Sequence, residues 1–531
     1  MYKKGKSMYK IVIMLFLSVA TIIEAKQINV DIEGGNFDTT QEAHGDFNND
    51  GYDDLVISYQ TYGNNERLDR RILVKYGSKD GLDNSNYKIF TQYSSGIPLI
   101  TTYSNGKIFD PTEIYNNRGF GKSLSTGDFN NDGYADLVIG NPGYRSRSGA
   151  ITVLYGSPDG LTTVGSQMFN QDSDGMRGVS EKHDRFGFTL TSGDYNGDGY
   201  ADITIGIPYE ALNNDEEGSA GAATILYGSS NGLTTVASLW IDQDTKGVPG
   251  SVEAYDEFSE RLSSGDYNHD GYTDLAIGII KEDLYDLHSI KRYSAGAVTI
   301  LYGSKSGINP EMSQWFDQDS KGVPGSVESN DLFGYSLSSG DYNNDGFIDL
   351  TIGVLEYTLN VGNKTIHNTG AITILYGSTS GLKATPSTQW IHQNTKGITG
   401  QSERNDQFGY SLSSGDYNDD GYVDLAVGVP FEGLYDKNGI FAYSSGNIHI
   451  LYGSKNGISG IGSKWIDQDS AGIDGDLKYY HRFGVSISSG DFNGDGISEI
   501  AVSSFRETAV TILNGSKSGV SWLNSLSISP L

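Results

Sequence analysis

The chain has 531 residues, with 67 Asp plus Glu against 37 Lys plus Arg, a formal net charge of −30, and no cysteine. Such acidity argues against nucleic-acid binding, which needs cations to neutralise phosphates, and the missing thiols exclude disulfides, thiol catalysis and thiolate metal sites. With 70 glycines, 35 tyrosines and only 37% hydrophobic residues, the composition favours many short strands and turns, hence an all-β protein.

In chain order, Lys3, Lys4, Lys6 and Lys10 precede an apolar run from Ile11 to about Ile23, and Ala25 offers a small residue for cleavage. This reads as a secretory signal over residues 1–25, because the run falls short of the roughly 20 residues needed to span a bilayer. The expectation is an exported protein, secreted, periplasmic or held at a cell surface, with no transmembrane anchor after cleavage. Residues 26–531 are expected to form one repeat-built domain.

From there an acidic string recurs, starting at Asp46, Asp128, Asp194, Asp266, Asp341, Asp416 and Asp491, at intervals of 66 to 82 residues and of 75 for the last three. That period suits one propeller blade per unit. In the fifth unit, LFGYSLSSGDYN alternates as a strand, NDG makes a reversal, and IDLTIGV returns as a second strand. A polar loop follows, then GAITILYGS as a third strand and STQWIHQ as a fourth. The predicted fold is a seven-bladed β-propeller of four-stranded antiparallel blades. Trp240, Trp315, Trp390 and Trp465 fall once per unit, as do Tyr155, Tyr227, Tyr302, Tyr376 and Tyr452 in the Tyr-Gly-Ser turns. Aromatics at such fixed places are expected to pack between blades rather than stack on sugars.

The acidic string has the spacing of a cation-binding loop. In the fifth copy, side chains at the first, third and fifth positions (Asp341, Asn343, Asp345) converge when the backbone curls. Gly346 permits the curl, Phe347 offers a carbonyl, and Asp349 closes the site from the next strand. The same places are held by Asp46, Asn48, Asp50, Tyr52 and Asp54; Asp128, Asn130, Asp132, Tyr134 and Asp136; and Asp194, Asn196, Asp198, Tyr200 and Asp202. They recur as Asp266, Asn268, Asp270, Tyr272 and Asp274; Asp416, Asn418, Asp420, Tyr422 and Asp424; and Asp491, Asn493, Asp495, Ile497 and Glu499. Six or seven hard oxygens suit Ca²⁺ better than Mg²⁺ and hold nothing for zinc. A plain Asn-Gly or Asp-Gly turn accounts for the glycine but not for the oxygen ligands around it. Up to seven structural calcium ions are therefore expected, with the seventh loop departing because Glu499 has a longer arm.

Further signatures frame these loops. Phe120-Gly121, Phe186-Gly187, Phe333-Gly334, Phe408-Gly409 and Phe483-Gly484 precede them, with Phe258-Ser259 as a variant, and GNP (140–142), GIP (206–208) and GVP (428–430) follow. Together they resemble FG-GAP repeats, which build the seven-bladed head of integrin α subunits. The resemblance implies metal loops on one face of the ring and ligand contacts on the other. The implied contact segments are Tyr144, Arg145 and Arg147; Tyr209 and Glu210; Tyr285, Arg292 and Tyr293; Tyr357; and Phe431, Tyr435 and Asp436. The chain departs from the integrin pattern in lacking cysteines and an inserted metal-site domain, and leg domains are not expected. Its first repeat has Asp38 where the Phe would stand, which suggests a closing blade with strands from both chain ends.

The function expected is calcium-stabilised adhesion or recognition of a protein or cell-surface ligand. A lectin binding glycans between blades is the alternative. An accessory propeller of a polysaccharide- or lipid-degrading enzyme is disfavoured, because the eight histidines, His269 and His392 among them, do not cluster and no catalytic motif appears.

Overall fold

Runs such as DLTIGV and AITIL are apolar along their whole length because both of their faces are covered. The computed structural model describes residues 41–62, 68–82, 85–98, 119–212, 218–385, 387–473, 476–505 and 509–528. Within them, seven four-stranded antiparallel sheets follow one another in chain order. The fifth comprises Phe333–Gly340, Asp349–Val354, Ala371–Leu375 and Gln389–Ile391, and every residue of its two middle strands is buried. The expected signal at residues 1–25 and the irregular Asp38 lie outside the described residues.

The apolar side chains gather into seven clusters, one in each wedge between neighbouring blades. One of them joins Leu55, Ile57 and Leu73 of the first blade to Phe492, Ala501 and Ile512 of the last, so the ring closes. Among the described residues no strand is shared between the end blades, whereas the first repeat had suggested a closing blade with strands from both chain ends. Among the described residues the first sheet is built from Gln41–Gly45, Asp54–Tyr62, Leu68–Lys75 and Tyr87–Phe90, and the last from Ser486–Gly490, Glu499–Ser503, Val510–Asn514 and Ser521–Ile528. Each end blade is complete in itself, and the seam is made by packing and by loop contacts. Asp53 N–H donates to the Asp491 carbonyl (3.0 Å), and Asp491 N–H donates to Asp53 Oδ2 (3.0 Å).

The motif glycines belong to the same wedges. A β-carbon on Gly428 would lie 2.2 Å from the Gly484 carbonyl oxygen, and one on Gly353 would lie 2.8 Å from that of Gly409. The glycine near the end of one blade's second strand thus meets the Phe-Gly glycine of the next, which links the two motifs physically. The unit-spaced aromatics also face the wedges: Trp240, Trp315 and Trp390 pack against three inter-blade clusters. Leu382 N–H donates to Tyr302 Oη across a blade boundary at 3.0 Å, and Val520 N–H to Tyr452 Oη at 3.1 Å.

Antiparallel order puts the first-to-second and third-to-fourth turns at one end of every blade. The long second-to-third connections lie at the other. Three of these connections contain hairpins of their own that the sequence reading took for plain loops: Leu284–Tyr285 with Lys291–Arg292, Leu359–Val361 with Lys364–Ile366, and Leu434–Tyr435 with Phe441–Ala442.

Candidate metal loops and the opposite face

Each acidic string forms the turn between the first and second strands, and its geometry repeats closely. In the fifth, Asp341 accepts from the N–H of Asp345 (3.1 Å) and of Gly346 (2.9 Å), Asn343 Oδ1 accepts from Asp345 N–H (2.9 Å), and Asp345 Oδ1 accepts from Phe347 N–H (3.1 Å). The first, third and fifth side chains are thereby curled about one turn. Gly346 has φ +90°, as its place in the curl requires. The fourth position is left-handed too: Asn49, Asn131, His269, Asn344 and Asp419 have φ of 52 to 56° there, and Gly197 and Gly494 stand in the other two copies. This limits what looks like a variable position to residues that tolerate such a backbone.

The ninth carboxylate sits beneath the turn, fully buried in six loops and nearly so at Glu499. Asp349 Oδ2 accepts from Tyr342 N–H (3.1 Å) and Oδ1 from Gly377 N–H (2.9 Å), the latter in the Tyr-Gly-Ser turn. Asp54, Asp136, Asp202, Asp274 and Asp424 make the same pair of bonds. Glu499 accepts equivalently from Phe492 N–H (3.0 Å) and also takes the Asn493 amide (2.9 Å), which is how the seventh loop differs. Burial pushes the Asp349 carboxyl up to about 8, with the Asp345 and Asp341 carboxylates adding repulsion. Two carboxylates and an amide oxygen gathered about one turn above a buried carboxyl are a set of hard oxygens that fits a divalent cation held by the first, third and fifth side chains.

The seven turns are also tied to one another. The residue before each ninth position donates its N–H to the first-position carbonyl of the preceding blade, as in Ala135 to Asp46 (3.0 Å), Val423 to Asp341 (3.1 Å) and, across the seam, Asp53 to Asp491. The acidic loops form a continuous belt.

On the opposite face the expected contact residues divide. Tyr144, Arg145 and Glu210 are buried and cannot meet a partner, which corrects their assignment. Arg145 pairs with Asp172 (3.8 Å), and Glu210 accepts from Gln171 Nε2 (2.7 Å). Arg147, Tyr285, Tyr293 and Tyr435 are exposed, while Tyr209, Arg292, Tyr357, Phe431 and Asp436 are half-buried. Arg292 is held by two bonds to Asp286 (2.7 and 2.9 Å).

The sequence reading missed buried acidic groups at the blade boundaries of this face. The buried Asp406 and Glu432 and the exposed Glu403 bring carboxylate oxygens within 4.8 Å of one another, and Gln243 Nε2 donates to Glu282 Oε2 (2.7 Å) near Asp256. A signal existed: a Glu three residues before an Asp and five before the motif Phe recurs at Glu181, Glu253, Glu328 and Glu403. Among the described residues no helix is long and apolar enough to cross a membrane.

Comparison with known proteins agrees with this architecture. Integrin alpha-3 of Cricetulus griseus is 31% identical over 203 residues, 36% of this chain and 17% of that protein. Phosphatidylinositol-glycan-specific phospholipase D of Dictyostelium discoideum is 25% identical over 349 residues, 63% of this chain and 34% of its own length. The chain thus spans 17% and 34% of the length of these relatives. Among solved structures, rhamnogalacturonan lyase YesW aligns over 88% of both chains with a TM-score of 0.32 and 11% identity. The FG-GAP repeat model matches residues 39–68, 120–154, 186–226, 258–301, 333–375, 408–451 and 483–520, one stretch per blade and more than half of the chain. Blade by blade and motif by motif, this chain belongs to the FG-GAP repeat family.

Proposed function

We propose that the protein is a calcium-stabilised recognition module that binds a protein or cell-surface ligand through the face opposite its acidic loops, and that it has no catalytic activity of its own. The observation that carries this reading is the asymmetry of the ring. One face repeats the same acidic turn in every blade, whereas on the other face only the fourth, fifth and sixth blades carry an extra hairpin among the described residues, and the matching hairpins of the fourth and sixth expose Tyr285, Tyr293, Tyr435 and Tyr443. Mixed tyrosine and charge is the make-up of protein interfaces. Calcium would be held in each loop by the first- and fifth-position carboxylates, the third-position amide oxygen and the seventh-position carbonyl, with the ninth carboxylate beneath. Binding only the folded loop, it would stabilise the fold by mass action.

Melting the purified protein in calcium and in chelator tests the metal, and a higher melting temperature in calcium is expected. Unchanged melting would sink the structural-calcium reading. Binding of labelled protein to cell surfaces, beside a glycan array, tests recognition. Saturable protein-dependent binding is expected, whereas a specific glycan hit without it would assign a lectin instead.

A further inference from the structure

At the centre of the ligand-facing side, the starts of the innermost strands enclose an axial cavity of about 510 Å³. The residue after each Phe-Gly motif and the one following it ring this cavity: Lys122-Ser123, Phe188-Thr189, Tyr335-Ser336 and Tyr410-Ser411 among them. The second position of the pair has a structural job. Ser123 donates to the Gly187 carbonyl (2.8 Å), Thr189 to Ser259 (2.7 Å), Ser336 to Gly409 (2.5 Å) and Ser411 to Gly484 (2.7 Å), each tying its blade to the next.

The fourth blade breaks this pattern. It carries Glu260-Arg261, and Arg261 makes the inter-blade bond with Nε, donating to the Tyr335 carbonyl (2.6 Å). Its guanidinium lies over the Tyr335 ring (4.6 Å) and meets Glu260 Oε1 at 3.3 Å. Two more cations reach the same wall. Lys122 lies over Phe188 (5.8 Å), and Arg482 lies over Phe505 (4.7 Å). Three cations against one carboxylate line this cavity, in a chain of net charge −30.

We infer that the axial cavity binds a carboxylate side chain presented on a loop of a protein ligand. This rests on the recognition reading above and names the part of the face that would take the ligand's anchor. The cations set the sign of charge the cavity accepts, and with Arg261 Nε on Tyr335 and Nη1 on Glu260, it is Nη2 that would meet an incoming carboxylate. The aromatic walls suit the methylene stem of an acidic side chain. A sugar needs a dense set of hydrogen-bonding groups for its hydroxyls, but four of the ring's own hydroxyls are spent on the neighbouring blades. The pocket is lined by arginine and by the half-buried Tyr335 and Tyr410, residue types that act as interface hot spots.

The test is calorimetric titration of the full chain in millimolar calcium with tetraglutamate, with tetraglutamine as the neutral control and tetragalacturonate as the saccharide arm. Tetraglutamate is expected to bind and tetraglutamine not to. Arg261→Ser, which installs the residue that other blades use for the inter-blade bond, is expected to weaken tetraglutamate by about 10-fold or more, the loss of one charge-assisted contact, and to lower the melting temperature because it leaves the buried Glu260 unpaired. Lys122→Gln serves as a second variant and is expected to weaken binding in the same direction. No tetraglutamate binding, or binding unchanged in both variants, overturns the inference, as does preferential binding of tetragalacturonate. Cell-surface binding by the wild-type chain is read separately. Its absence counts against the recognition reading, and the peptide titration decides the cavity.

Discussion

Asp349 and Asp345 stand four residues apart in one loop and do different work. Asp349 is buried and accepts two backbone N–H groups, whereas Asp345 is exposed and uses Oδ1 for one turn bond. Asp349→Asn would point an amide N–H at a backbone N–H and is expected to cost about 1–3 kcal/mol, in chelator as well as in calcium. Asp345→Asn keeps the turn acceptor and removes only charge, so it should lower the melting temperature in calcium and leave it nearly unchanged in chelator. Thermal melts of both variants in both buffers check the pair. A separate pH dependence comes from Glu282, whose carboxyl is pushed up to about 8, first by burial and then by the neighbouring Asp256. Because the folded state holds the proton more tightly than the unfolded chain, the stabilisation is complete below the ordinary glutamate range and is lost as pH rises through about 8. Glu282→Gln keeps an acceptor for Gln243, so in chelator it should melt with wild type at pH near 5 and above it at pH near 9. Spacing in the sequence was enough to identify the acidic loops, since the first, third, fifth and ninth positions lie within one local turn. The carboxylates around Glu282 and Glu432 were not legible in this way, because Asp256 and Asp406 lie in the loop before a blade's first strand, Glu282 and Glu432 lie in the loop after its second, and only the folded hairpin brings them together.

Within each blade, strand order, the tight acidic turn and the Tyr-Gly-Ser turn were readable from the alternation of apolar runs and turn residues. The Phe-Gly and Gly-x-Pro signatures gain their meaning only between blades, where their glycines pack against each other. Gly428→Ala places a methyl group against the Gly484 backbone, and forcing the two blades apart is expected to cost about 1–3 kcal/mol, measured by chemical denaturation. The same contact explains why the second strands read as unbroken apolar runs: each is sandwiched, and neither face meets water. The small hairpins in the long connections escaped the sequence because runs of two or three residues carry no periodicity. Tyr144, Arg145 and Glu210 were misassigned to the surface for a related reason. A polar or aromatic residue in a connection looks solvent-facing until a neighbouring blade covers it.

Over the whole ring, stability is distributed among seven wedges rather than held in one core, and the last wedge depends on the two chain ends meeting. Removing the strands of the seventh blade, from Ser486 onward, would expose Leu55, Ile57 and Leu73 on one side and break the belt of loop-to-loop bonds on the other. Such a truncated chain is expected to be largely insoluble or aggregated by size-exclusion chromatography, even in calcium, since an open propeller presents two unpaired apolar faces. By itself the sequence determined the number of blades, the place of every acidic turn and the carboxylate and amide side chains it carries, because each of these is written within one repeat and repeated seven times. The tertiary structure alone decided how the ring closes, which loop residues reach solvent, and that Lys122, Arg261 and Arg482 converge on one axial cavity. Those features join residues hundreds of positions apart, and only the circular path of the chain brings them together.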